Sequence, residues 1–127
     1  MRKNISSGSM WENRYGYSRV VTMNKRAYVA GTVAVDETGK IMGKGHAGEQ
    51  TAYILKKINK YILEAGFKKE DIVRTRIFTT DIRYSEDIGK EHAVFFKDIN
   101  PVTSMLEVKA LIHQDMLVEI EADLEKI

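Results

Sequence analysis

The sequence predicts an α+β fold of order ββαβαββ, with two helices on one face of a mixed sheet. Two stretches repeat apolar residues at helical spacing, and five shorter stretches alternate as strands do. The last two strands each combine an apolar face with a mixed one, which suits a sheet covered by helices on one side only. The 127 residues fit one domain, 1–127, with 1–10 as a flexible N-terminal segment.

The first strand runs over Tyr17–Met23, where Tyr17, Arg19, Val21 and Met23 alternate with Ser18, Val20 and Thr22. Asn24-Lys25 breaks it. Arg26–Val35 follows, rich in β-branched and small residues, and the pair reads as a hairpin; Gly31 within the second strand signals a bulge or a close backbone approach. Asp36–Lys40 is a turn. Ala47–Ala65 is the clearest helix. Ile54, Leu55, Ile58 and Ile62 share one face, Glu49 sits near the N-terminus, lysines occupy the second half, and Gly66 stops it. Ile72–Thr80 is a strand. Asp81 caps a second helix over Tyr84–Phe96, and Pro101 closes the following connection.

In Val102–Ala110 the residues Val102, Ser104, Leu106 and Val108 lie on one side, and Thr103, Met105 and Glu107 on the other. In Met116–Leu124 the sides are Met116, Val118, Ile120, Ala122 and Leu124 against Leu117, Glu119, Glu121 and Asp123. The face away from the helices then carries Glu107, Glu119 and Glu121 with Met105, Leu117, Arg74, Arg76 and Phe78. A solvated sheet face would be more uniformly polar. Apolar residues mixed with opposite charges suit a surface covered by another copy of the chain, with ion pairs between strands.

The charge balance excludes some functions. Lys plus Arg is 20 and Asp plus Glu is 18, giving +2, without the basic excess of a dedicated nucleic-acid binder. There is no cysteine, which excludes disulfides, zinc–thiolate sites and thiol nucleophiles. No apolar run approaches the ~20 residues that span a bilayer, and no secretory leader is visible, so a cytoplasmic location is expected. His46, His92 and His113 show no metal-ligand spacing, so no metal is expected. Gly43, Gly45 and Gly48 match G-x-G-x-x-G, but without a convincing strand before them they read as a loop leading to the helix. No serine stands in a G-x-S-x-G elbow. Trp11, Tyr15 and Tyr17 either line a pocket or pack the N-terminal segment. Of the three glutamates, Glu107 and Glu121 suit ion pairs with Arg74 or Arg76. Glu119 suits either an ion pair or a general base whose pKa burial raises.

Gly16-Tyr17-Ser18-Arg19-Val20-Val21 with Tyr28-Val29-Ala30-Gly31-Thr32, Asp71–Asp81, Pro101–Val108 and Leu117–Ala122 resemble the Rid (YjgF-type) family of reactive intermediate deaminases, over about Trp11 to Ala122. The resemblance implies a chorismate-mutase-like fold, a homotrimer around a central barrel, and small-molecule clefts between subunits. It implies hydrolysis of imines and enamines to 2-oxo acids and ammonia with no cofactor. A non-catalytic ligand-binding or regulatory protein on the same fold is the alternative. Older family names, endoribonuclease and translation inhibitor, form a third reading that the near-neutral charge disfavours. By resemblance, Tyr17, Gly31 and Glu119 are cleft residues, Glu119 positioning the hydrolytic water. Active members place an arginine two residues after the proline of the closing motif, to grip the substrate carboxylate. This chain has Thr103 there, Gly89 at the family's cleft asparagine, and Arg19 at a position often held by glutamine. Arg19 is thereby the expected replacement cation, making this an Arg-less branch.

Overall fold

The computed structural model describes residues 1–127. The strands are β1 (Arg2–Ile5), β2 (Val20–Met23), β3 (Arg26–Val33), β4 (Ile72–Thr79), β5 (Val102–Glu107) and β6 (Val118–Glu125). The helices are α1 (Met10–Tyr15), α2 (Ala47–Glu64) and α3 (Ser85–Phe95). The six strands form one sheet in the order β1-β2-β3-β6-β4-β5. All neighbours are antiparallel except β4 and β5, which run parallel because α3 crosses between them.

The helix-covered face holds the core. Ile54, Leu55, Ile58 and Ile62 of α2 are at most 1% exposed and meet Val118, Ile120, Ala122 and Leu124 of β6, with Ile77 of β4 and Ile88 of α3. Each such side chain contributes roughly 1.5–3 kcal/mol on burial. Gln50 is fully buried yet satisfied: its Nε2 donates to the Asp115 carbonyl at 2.8 Å and its Oε1 accepts from the Leu117 N–H at 2.9 Å. That clasp ties α2 to the start of β6 and so positions Glu119. After α2, Gly66 takes φ 87°, a left-handed turn in which an L side chain is strained.

Two expectations are corrected. The N-terminal segment is ordered as the edge strand β1, paired from Arg2↔Met23 to Ile5↔Val20. The short helix α1 then follows, capped by Ser9. Pairing along an edge of an existing sheet satisfies backbone groups whatever the side chains, and the polar sequence hides it. The faces of β5 are also reversed. Thr103 lies beside Thr75 and Met105 beside Ile77 in the parallel register, so Thr103, Met105 and Glu107 share the helix-covered side. Val102, Ser104 and Leu106 join Arg74, Arg76 and Phe78 on the open side. Both sides of this strand are semi-apolar, so alternation alone could not choose between them. Glu107 accordingly leaves the open-face set, and its Oε1 accepts from the Ile82 N–H at 2.9 Å.

On the open face the expected ion pairs form around Arg76. Its Nη1 lies 3.1 Å from Asp123 and 3.6 Å from Glu121, and Arg74 lies 3.9 Å from Asp123. Asp81 caps a 3-10 turn over Ile82–Tyr84 instead of the helix, its carboxylate accepting from the Arg83 N–H, and α3 follows from Tyr84 with no side-chain cap. No helix is long and apolar enough to cross a membrane.

Candidate functional site

The register of β3 against β6 breaks between Val29 and Thr32, and this bulge carries Gly31. A Cβ on Gly31 would stand 2.7 Å from Glu119 Oε2, so any side chain there would displace the carboxylate. Backbone and carboxylate thus meet directly at the floor of a cleft of about 1110 Å³. Tyr17, Arg19, Gly31 and Glu119 all line it, together with Trp11 and Lys57. Trp11 and Tyr15 stack on each other within the N-terminal segment at 5.7 Å between centroids and also line this cleft.

Glu119 is half-buried. Burial pushes its carboxyl up from the usual glutamate value, the nearby Glu121 charge adds to this, and Arg19 offsets part of it. A carboxyl so placed accepts a proton more readily at neutral pH than an exposed one, as a general base requires.

Arg19 is 6% exposed. Its Nη1 donates to the Gly31 carbonyl at 2.7 Å and to Thr32 Oγ1 at 2.9 Å, with the Ala30 carbonyl at 3.4 Å. Its Nε lies 3.5 Å from Glu12 Oε2. Glu12 is 3% exposed and accepts from Ser6 Oγ and the Ser7 N–H, each at 3.0 Å, and from Ser7 Oγ. Burial pushes the Glu12 carboxyl up, but the hydrogen bonds from Ser7 and Ser6, helped by the Arg19 charge, outweigh it and hold the group below the ordinary range. Arg19 therefore reaches the cleft as a clamped group that braces the bulge, with Glu12 as its counter-ion.

Thr103 is not part of this wall. It accepts from Thr75 Oγ1 at 2.7 Å, and Thr75 Oγ1 lies 2.9 Å from His92 Nε2. Burial holds His92 below its ordinary pKa. If Thr75 gives its proton to Thr103, His92 donates through Nε2, a hydrogen-bond chain ending at the exposed Thr103 hydroxyl.

Lys57 is the cleft residue that sequence reasoning missed. The sequence shows it only as one of the lysines in the second half of the helix. Its Nζ instead donates to the Val35 carbonyl at 2.9 Å and approaches the Val33 carbonyl at 3.5 Å. Burial, reinforced by the Arg19 charge, lowers its pKa to about 8. One signal was available: helical spacing puts Lys57 beside Tyr53, Ile54 and Tyr61, at the margin of the apolar stripe.

A model of the family described as Endoribonuclease L-PSP matches residues 10–125. The chain belongs to that family, the Rid or YjgF proteins. An uncharacterised protein of Streptomyces coelicolor is 32% identical over 121 residues, covering 95% of this chain and 90% of that one. A RutC family protein of Aquifex aeolicus is 32% identical over 110 residues, covering 84% and 86%. Among solved structures, Rv2704 of Mycobacterium tuberculosis, a member of the YjgF/YER057c/UK114 family, superposes with a TM-score of 0.90 at 41% identity, covering 99% of this chain and all of that one. The Rid protein YyfA of Yersinia pestis, of unknown function, gives 0.88 at 30% identity over 99% and 100%. The mixed sheet under two long helices is therefore the Rid fold, chorismate-mutase-like as expected.

Proposed function

We propose that this Rid-family chain is a cofactor-independent hydrolase of small imines or enamines, working in a cleft completed by a neighbouring subunit of a homotrimer. The observation that carries this reading is the Glu119 carboxyl, half-buried with a raised pKa and set against the bare backbone of Gly31. Glu119 takes a proton from water as its oxygen attacks the C=N carbon. Glu119 passes that proton to the nitrogen, giving the carbinolamine; it then takes the hydroxyl proton and delivers it to the nitrogen as the C–N bond breaks, so ammonia leaves and a carbonyl compound remains. Tyr17 and the Gly31 backbone hold the ligand from this chain. Thr103, on the far edge strand, serves the cleft of the neighbouring copy. The semi-apolar open face, with Val102 57% and Leu106 48% exposed, supplies the surface that the copies would bury.

The test is ammonia release from enzymatically generated iminopropionate or iminobutyrate, with Glu119→Gln beside the wild type. Release above the spontaneous rate that falls at least tenfold in the variant supports the reading; release equal to the buffer control overturns it. The second reading, a non-catalytic ligand-binding or regulatory protein, is favoured by Thr103, which brings no charge to the position where active relatives hold arginine. Ligand-dependent thermal stabilisation without ammonia release would favour it.

A further inference from the structure

The edge of β3 opens onto the cleft because β2 stops short. Pairing between them ends at Val20↔Val29, with one further bond from the Ala30 N–H to the Arg19 carbonyl. Beyond it, carbonyls of alternate residues point to the same side of the strand. Those of Gly31 and Val35 are met by side-chain cations, Arg19 taking the first and Lys57 the second, while the Val33 carbonyl between them accepts from the Val35 N–H at 2.8 Å and lies 3.5 Å from Lys57 Nζ. The two cations thus stand along one edge of the same strand.

They differ in what else holds them. Arg19 is sealed by the buried Glu12 carboxylate. Lys57 has no carboxylate partner; its neighbour Lys60 takes Glu37, and the Asp36 carboxylate is bonded by Thr38 and the Lys40 N–H. Two of the three Nζ donors are directed by backbone carbonyls, which leaves one donor on a charge with no carboxylate in ion-pair reach on the cleft wall. Glu119, opposite Val33 in the register, and Lys57 line the same cleft. One donor with one charge matches a single carboxylate better than a phosphate dianion, which prefers several donors.

We infer that Lys57 receives the carboxylate of the ligand in this cleft, doing from helix α2 what Thr103 cannot do from β5. The ligand class is a small 2-imino or 2-oxo monocarboxylate. This rests on reading the cleft as the small-molecule site and deepens it.

The experiment measures calorimetric binding of 2-oxobutyrate and its uncharged counterpart 2-butanone to the wild type, Lys57→Met, Lys57→Arg and the nearby cleft control Lys56→Met. Wild type binds 2-oxobutyrate at least tenfold more tightly than 2-butanone. Lys57→Met loses about 10- to 100-fold for the acid and little for the ketone, the scale expected of a charged hydrogen bond. Lys57→Arg keeps most of the preference, and Lys56→Met keeps all of it. Thermal melts report folding, and the arginine variant keeps the test sharp if the methionine variant melts early. The inference is overturned if the wild type shows no preference for the acid, or if Lys57→Met retains it. Ammonia release is read separately. Lys57-dependent binding without turnover defeats the hydrolase and spares the anion site, whereas turnover with an unchanged KM in Lys57→Met does the reverse.

Discussion

Arginines meet carboxylates in two regions of this sheet, and the surroundings set what each meeting contributes. On the open face, Arg76 reaches Asp123 and Glu121 with side chains 30–40% exposed. Water screens such pairs, and exposed ones contribute 0 to about 1 kcal/mol. At the β3 edge, Arg19 and Glu12 are nearly sealed; Ser6 and Ser7 donate to the Glu12 carboxylate, and Arg19 donates to the Gly31 carbonyl and Thr32 Oγ1. There, removing one partner strands the other in a poorly hydrated place. The first region is a surface ready to be covered; the second is a brace that holds the bulge beside Glu119.

Glu12→Ala sharpens that contrast most. It should cost about 3–5 kcal/mol, because the Arg19 guanidinium is left buried without its counter-ion. Urea unfolding at neutral pH measures it, and a loss below 1 kcal/mol would put the brace on a par with the open face. The brace should also show in acid. The folded Glu12 carboxyl titrates below its unfolded value of 4.5, so its stabilisation is complete above that pH and is lost as pH falls through the folded value. Glu12→Gln should flatten the acid limb of the stability profile.

Lys57 has linkage of the same sign at the alkaline end, although there folding disfavours the charged form instead of favouring it. Its folded pKa of about 8 lies below the unfolded 10.5, so the unfolded chain holds more protons between them and stability should rise with pH across that window. Lys57→Met should remove the rise; an identical slope in both proteins would mean that Nζ is better solvated than its contacts imply. Gly31→Ala should cost no more than about 1–3 kcal/mol, since the flexible end of Glu119 can move aside, yet it should lower ligand binding and turnover more than stability. The smallest effect belongs to Asp123→Ala, less than about 1 kcal/mol for a chain whose open face is wet. A loss above 2 kcal/mol that varies with protein concentration would break the comparison and show that the face is buried between copies.

The sequence alone determined the elements whose periodicity is one-sided. Helix α2 and strand β6 have unmistakable apolar faces, so their type, extent and orientation were legible, and with them Glu119 on the far side from the helices. The run from Tyr17 through Gly31 to Glu119 also carried the family resemblance. Tertiary structure alone decided the rest. Strand β5 has two similar faces, so only its parallel register with β4 turned Thr103 toward Thr75 and away from Glu119. Strand β1 is polar, and only an unoccupied sheet edge made it a strand. The resemblance puts Arg19 in the cleft and the periodicity leaves Lys57 among the lysines of α2; one is clamped and the other drawn to the cleft wall because carbonyls at a β3 edge that β2 fails to cover need donors. Spacing along a chain records which face a residue shares with its near neighbours, but hydrogen-bond partners 12 or 22 residues apart exist only once the strands and helices have packed.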